Sequence, residues 1–192
     1  MPIALVVRLT FWLWFAAAVL VGQQQVLQRL PAPATPVILL GLTALLLVTY
    51  FRVAALRDWV DGLDLRSLAL IHVSRFVGIY FLVLYRQGKL PYAFAVPGGI
   101  GDILVATLVL PVVFLPVGNE RRLRLLTIWN VIGFIDIMLV VLTAIRLNVA
   151  DPFQLRAMRF LPLSLLPTFL VPLIIATHIV IFVRLARVRH NG

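Results

Sequence analysis

Six long apolar stretches constrain this chain more than any other feature of its sequence. A helix needs about 20 mostly apolar residues to cross the hydrocarbon core of a bilayer. Stretches of this kind cover residues 3–22, 36–55, 67–86, 98–117, 125–145 and 162–184. The connections between them are short and leave no room for a soluble domain. We therefore expect an all-α fold, a polytopic transmembrane helix bundle of six spans that forms one integral membrane domain over residues 1–192.

Composition supports a lipid environment. The chain is 62% hydrophobic and only 12% charged, which leaves too little polar surface to cover a water-soluble core. It has no cysteine, which excludes disulfides and thiolate metal sites. Its net charge of +10 resides on basic residues that lie mainly between the apolar stretches. That placement favours contact with anionic lipid headgroups, and no nucleic-acid-binding motif is present. The predicted partner is therefore the lipid bilayer, not nucleic acid.

The distribution of the basic residues predicts the orientation. Ten of the 17 Lys and Arg residues fall on the side of the N-terminus, six fall on the other side, and Arg75 lies inside the third stretch. Cytoplasmic loops carry an excess of Lys and Arg. We therefore expect both termini in the cytoplasm and a multi-pass protein of the cell inner (plasma) membrane.

Polar side chains inside the apolar stretches are the candidate functional residues. An ionisable side chain at the bilayer centre costs at least about 2.5 kcal/mol, so it normally faces a partner or a water-filled cavity. Six polar side chains form the predicted polar core: His72, Arg75, Asp102, Asn130, Asp136 and His178. Counted from the helix ends, His72, Asn130 and His178 lie at similar depth, and Arg75 and Asp136 lie deeper. We expect Arg75 to pair with Asp136 or to bridge both aspartates.

Two of the stretches carry the same polar pattern, in which two polar residues and a glycine recur at every third position. The two trios are His72, Arg75 and Gly78 on the third stretch, and Asn130, Gly133 and Asp136 on the fifth. At 100° per residue, each trio occupies about 120° of one helix face. The glycine lets a neighbouring helix approach closely. Each trio can serve a structural ion pair that fixes helix packing, or a site that binds a substrate or relays protons.

The segment PGGIGD, residues 97–102, precedes the apolar run of the fourth stretch. Pro97 and the glycines after it predict a break in the chain, with the helix starting there. Asp102 would then lie in the first helical turn, where a carboxylate binds unpaired N–H groups and is favoured by the helix dipole. This helix-cap role is the preferred interpretation of Asp102.

The G-x-G-D pattern at residues 99–102 also resembles the motif around a catalytic aspartate of presenilin-like proteases and prepilin peptidases. The resemblance implies an intramembrane aspartyl protease in which Asp102 is one catalytic carboxylate. Such chemistry needs a second carboxylate close enough to share a proton, and Asp136 is the candidate.

Two histidines at matching depth raise a second alternative. His72 and His178 lie on different helices and could ligate one b-type haem from opposite sides, or another metal. A lone membrane histidine more often hydrogen-bonds a neighbouring helix, so no cofactor is the favoured expectation.

Prolines mark the fourth and sixth stretches. They are Pro111, Pro116, Pro162, Pro167 and Pro172. A proline inside a helix frees a carbonyl and bends the axis. These residues predict packing kinks, or two helices that frame a cavity near His178.

Together these features favour a small-molecule or proton binding or transport protein over an enzyme. The main alternative is a non-catalytic membrane subunit, assembly factor or scaffold, acting with a membrane-embedded partner or as a homo-oligomer. A transporter of this length would also be expected to oligomerise.

Overall fold

The structure is a computed structural model that describes residues 2–190, with side chains through Val188. The described part of the chain is helical and contains no strand. Six of its helices are long and apolar enough to cross a membrane, which suggests a multi-pass membrane protein. They are α1 (Ile3–Gln23), α2 (Ala34–Arg52), α3 (Leu65–Arg86), α4 (Tyr92–Phe114), α5 (Asn119–Ala150) and α6 (Leu166–Val188). The prediction of six long apolar helices is confirmed.

The fourth helix begins earlier than predicted. It starts at Tyr92 rather than at residue 98, and Pro97 lies inside it. A proline in a helix removes one backbone hydrogen bond, here the one that Ala93's carbonyl would accept. Membrane helices tolerate such a loss because neighbouring groups can satisfy the freed carbonyl. The predicted chain break at residues 97–99 is therefore wrong, and this changes the place of Asp102.

Shorter elements connect the long helices. They are the helices Val26–Arg29 and Ala54–Asp61 and the 3-10 turn Arg156–Arg159. Asp64 precedes α3 as its N-cap and accepts a hydrogen bond from the backbone N–H of Arg66, 2.9 Å away. This hydrogen bond lowers the pKa of Asp64 below its usual value, with a further contribution from the Arg66 side chain. A carboxylate cap therefore starts the helix that carries His72 and Arg75.

The chain forms two compact units. The first comprises the residues up to Leu63 together with Leu147–Ala176. In it, Phe169 packs its ring against the aromatic face of α1, and the indole N–H of Trp14 donates to the carbonyl of Thr168 at 2.9 Å. That carbonyl would accept from position 172 in a regular helix, but Pro172 has no N–H. Trp14 therefore satisfies a carbonyl that the proline leaves free.

Residues 166–170 at the start of α6 are wound as a π-helix, the wider helical form. Pro167 lies within this segment and Pro172 follows it by two residues, and neither has the N–H that a regular helix would use. The contact of Trp14 with Thr168 shows that this irregular turn is packed against α1. For Pro172, the packing interpretation of the prolines is supported.

The second unit comprises Asp64–Arg146 and the chain from Thr177 onward. It contains α3, α4, most of α5 and the second half of α6. Its core lies along α4, where Val105, Ala106 and Val109 are fully buried. All six residues of the predicted polar core belong to this unit.

Candidate functional site

The middle of α3 places His72, Arg75 and Gly78 on one line. Residues Ile71–Val77 form a 3-10 helix between two α-helical segments. A 3-10 helix has three residues per turn, so positions three apart lie directly above one another. The three residues are therefore aligned more closely than they would be in the α-helix that the sequence predicts. A 3-10 run of this length inside a helix is uncommon and often marks a functional hinge or a segment under strain.

Arg75 is the centre of the polar core, and its side chain is fully buried. Its Nε donates to Oδ1 of Asp102 on α4 at 2.6 Å, and its Nη2 donates to Asp136 on α5. Its Nη1 donates to the backbone carbonyl of Gly133 at 3.0 Å. The prediction that Arg75 bridges both aspartates is confirmed. We call Arg75, Asp102 and Asp136 the ionic cluster.

The two carboxylates differ in exposure. Asp102 keeps 6% of its side chain exposed and Asp136 keeps 19%. Asp136 is therefore the member of the ionic cluster that is most open to its surroundings. In the described part of the chain, Arg75 is the one cation that pairs with either carboxylate.

Glycines bring the helices of the ionic cluster together. A Cβ added to Gly78 on α3 would lie 2.5 Å from the carbonyl oxygen of Gly99 on α4 and 2.8 Å from Cβ of Asp102. A Cβ added to Gly101 would collide with the carboxylate of Asp136. The glycines of the PGGIGD segment are thus close-contact positions inside α4, where only the absence of a side chain permits the approach.

Two histidines lie next to the ionic cluster and form a second group. His72 on α3 and His178 on α6 are fully buried, and their ring centres are 4.1 Å apart. Nδ1 of His178 lies 2.7 Å from Oδ1 of Asn130, and Nε2 of His72 lies 3.1 Å from Oγ1 of Thr177. We call His72 and His178 the histidine pair. The similar depths predicted for His72, Asn130 and His178 agree with these contacts.

Trp129 forms a wall of the histidine pair. Its ring centre lies 5.0 Å from that of His72 and 5.6 Å from that of His178. Its indole N–H donates to the carbonyl of Val105 at 3.0 Å, which anchors it on α4. Sequence analysis missed Trp129 and Thr177 as neighbours of the histidines. Trp129 directly precedes Asn130, and Thr177 directly precedes His178. This adjacency to predicted polar-core residues was the sequence signal that could have indicated them.

The structure corrects the interpretation of Asp102 as a helix cap. Asp102 lies near the middle of α4, more than two turns from Tyr92, so no unpaired N–H groups of a helix end are near it. The prediction was wrong because Pro97, which has the sequence signature of a helix break, lies inside α4. The carboxylate binds Arg75 instead.

The ionic cluster also differs from the arrangement that the protease resemblance implies. An aspartyl protease needs two carboxylates that share a proton and activate a water. Here a guanidinium binds both Asp102 and Asp136, and three of its N–H groups are already engaged by the carboxylates and the Gly133 carbonyl. Because Arg75 binds both carboxylates, they do not form the pair with one shared proton that the protease mechanism requires.

The histidine pair does not fit haem ligation. Two axial imidazoles must leave a porphyrin and its iron between them. The ring centres of His72 and His178 are 4.1 Å apart, so the rings are in direct contact with one another. Among the described residues, no group of three or more His, Cys, Asp or Glu side chains could hold a metal ion.

Together, fold and site define a class: a helical protein whose six apolar helices suggest a multi-pass membrane protein, with a buried ionic cluster in one of its units. The chain belongs to the family described as a domain of unknown function, DUF8737, which matches residues 32–186. This range includes every residue of the ionic cluster and the histidine pair. No curated protein and no solved structure matches the chain.

Proposed function

We propose that this protein is a membrane transporter that binds a proton or another small cation at the ionic cluster. The observation that carries the proposal is the enclosure of one guanidinium between two carboxylates, Asp102 and Asp136. With both carboxylates ionised, the ionic cluster has one negative charge in excess. A cation that binds there removes the excess charge.

The second carboxylate distinguishes this site from a structural ion pair. One carboxylate would neutralise Arg75, and a second one adds a charge that is costly to bury unless it is compensated. Ionisable side chains inside membrane proteins commonly mark proton or ion pathways for this reason. The partial exposure of Asp136 supports a route by which the cation reaches the ionic cluster.

We further propose that the protein lies in the cell inner membrane with both termini in the cytoplasm. The excess of Lys and Arg on the side of the N-terminus supports this orientation. Addition of a cysteine after Pro33, in the first predicted outer connection, and labelling with a membrane-impermeant maleimide in intact cells would test it. Labelling without permeabilisation supports the orientation, and labelling only after permeabilisation contradicts it.

The transport proposal is tested with the full chain in proteoliposomes that contain a pH-sensitive dye. A potassium gradient with valinomycin imposes a membrane potential, and the dye reports proton entry. We expect Asp102→Asn and Asp136→Asn to abolish the flux, because each removes the excess negative charge. Asp58→Asn is the matched control, since the side chain of Asp58 is 76% exposed and lies outside the six long helices.

The ion dependence identifies the cation. A dye response in buffers whose only alkali cation is the potassium that sets the potential indicates a proton, and a response that needs added sodium indicates coupling to that ion. Absence of any flux in the wild-type protein for proton, sodium and potassium would overturn the proposal.

A second candidate function, a non-catalytic subunit of a membrane complex, is favoured by the exposure of the first two helices. Only 6% of the most apolar window of α1 and 11% of that of α2 is buried. These faces are available to lipid, to partner helices or to a second copy. A subunit of this kind would show no flux of its own and would co-purify with a stoichiometric membrane partner in mild detergent.

A further inference from the structure

We propose that the histidine pair passes protons to and from the ionic cluster on the side of the membrane where α3 begins and α6 ends. The inference rests on the proposed function and identifies its cation as the proton. It is built on two ring nitrogens that the transport proposal does not use.

The hydrogen bonds of Asn130 assign the tautomer of His178. The side-chain Nδ2 of Asn130 donates to the backbone carbonyl of His178 at 3.1 Å, which turns its Oδ1 toward Nδ1 of the ring, 2.7 Å away. An amide oxygen only accepts, so Nδ1 of His178 carries a hydrogen. In the neutral ring, Nε2 therefore has a free lone pair.

Two nitrogens of the histidine pair have no hydrogen-bond partner. They are Nε2 of His178 and Nδ1 of His72, and both belong to rings with 0% exposure. Buried polar atoms are almost always hydrogen-bonded, so an exception needs an explanation. A proton that arrives at these atoms, or a water that delivers it, explains both.

Gly133 connects the histidine pair to the ionic cluster. Its carbonyl accepts from Nη1 of Arg75 at 3.0 Å. Its Cα lies against His178, since an added Cβ would be 2.7 Å from Cε1 and 3.1 Å from Nε2 of that ring. On α3, His72 precedes Arg75 by one 3-10 turn, about 6 Å along the axis. The two groups are therefore adjacent.

On the other side of Arg75, the contact between α3 and α4 is closed. One 3-10 turn beyond Arg75, Gly78 packs its backbone against that of Gly99. This contact leaves no space for a side chain, and hence none for a water between the two glycines. Along α3, the polar side chain one turn from Arg75 therefore lies on the histidine side.

The charged groups beside the histidine pair are the three members of the ionic cluster. They are Arg75 on α3, Asp102 on α4 and Asp136 on α5. The guanidinium of Arg75, one 3-10 turn from His72, opposes a lasting positive charge on the rings, so a proton resides on either ring only in transit. From α6, Thr177 contributes an uncharged hydroxyl that contacts Nε2 of His72. An imidazolium formed here would compensate the excess charge of the ionic cluster.

The transfer step needs no other reactant. The O–H bond of a protonated carboxyl breaks, directly or through one water, and an N–H bond forms at the free lone pair of His178. The positive charge moves with the proton. The proton then leaves for the unpartnered nitrogen of His72 or returns, and transport in the other direction reverses these steps.

The experiment uses the proteoliposome assay with His178→Gln and His72→Gln. Glutamine keeps hydrogen-bonding capacity but does not take up a proton, so we expect at least about a tenfold loss of proton flux. In His178→Ala, added imidazole is expected to restore flux, which a merely structural role of the ring would not allow. Asp58→Asn again serves as the control.

The outcomes separate the two proposals. A wild-type protein without proton flux overturns the transport proposal together with the relay. A wild-type flux that Asp102→Asn abolishes and both glutamine variants preserve overturns the relay alone. If the histidine variants do not fold, nitrogen-15 NMR of the labelled wild-type histidines decides the point. A ring of His178 with Nε2–H in the neutral state, or rings that exchange no protons between pH 5 and pH 9, would overturn the relay.

Discussion

Gly78→Ala and Gly41→Ala make the same chemical change at two helical glycines, and we expect opposite effects on stability. At Gly78 the added Cβ would lie 2.5 Å from the carbonyl oxygen of Gly99, whereas ordinary contact begins at 3.4 Å. Helices α3 and α4 must therefore separate locally by about 0.9 Å, the difference between these distances. At Gly41 on α2, no atom lies within 4 Å of the added Cβ.

The magnitudes follow from two general terms. Replacing glycine by alanine inside a helix stabilises by about 0.5–1 kcal/mol, and forcing an extra methyl into a packed contact costs about 1–3 kcal/mol. Only the first applies to Gly41→Ala, so this variant is expected to be more stable than the wild type. Both apply to Gly78→Ala, and the free energies of unfolding of the two variants should differ by about 1–3 kcal/mol, with Gly78→Ala the less stable.

The assay is reversible unfolding by SDS in mixed micelles, followed by circular dichroism for both variants and the wild type. The close contact between the backbones of Gly78 and Gly99 is refuted if Gly78→Ala is as stable as Gly41→Ala. Because an added Cβ at Gly78 also lies 2.8 Å from Cβ of Asp102, the variant should reduce proton flux as well. Gly41→Ala should leave the flux unchanged.

Two further predictions concern groups outside the site. Asp64→Ala removes a carboxylate N-cap and should cost about 1 kcal/mol at pH 7. Because the folded-state pKa of Asp64 is lowered, this stabilisation is present above the usual aspartate pKa of about 3.9. It is lost as the pH falls through the lowered value, so unfolding curves of variant and wild type should converge in acid and stay apart at pH 7. Trp14→Phe leaves the carbonyl of Thr168 without its donor and should cost about 1–3 kcal/mol. In a Pro172→Ala background the new backbone N–H can replace that donor, so a double-mutant cycle should show a smaller penalty, and equal penalties in both backgrounds would contradict the assignment.

Hydropathy was sufficient to predict the six long helices, since about 20 consecutive apolar residues permit few other structures. The polar residues within them were equally informative. Arg75 had two carboxylates at membrane depth as candidate partners, Asp102 and Asp136, and it binds both. The 3-10 winding of residues 71–77 was not predictable, because it depends on packing and not on a local sequence signal.

The course of α4 was the main error, and its cause is instructive. Pro97 and the glycines after it have the composition of a turn in a water-soluble protein. In α4 the same residues are helical, with glycines at the contacts with α3 and α5. A sequence alone does not show which neighbouring helix a glycine faces. A glycine-rich segment that forms a turn and one that forms a close helix contact therefore have the same local sequence pattern.

The contacts of these glycines bear directly on function. Gly78 and Gly99 set the distance between α3 and α4 at the level of Asp102, and Gly101 leaves the space that the carboxylate of Asp136 occupies. Three glycines on two helices thus accommodate two carboxylates beside one guanidinium. Helix packing alone does not require glycines and two carboxylates at these positions. Larger apolar residues would fill the same helix faces without a buried excess charge. The close packing around the ionic cluster therefore favours a protein in which the excess charge itself is used, and a bound cation is the simplest use consistent with the described residues.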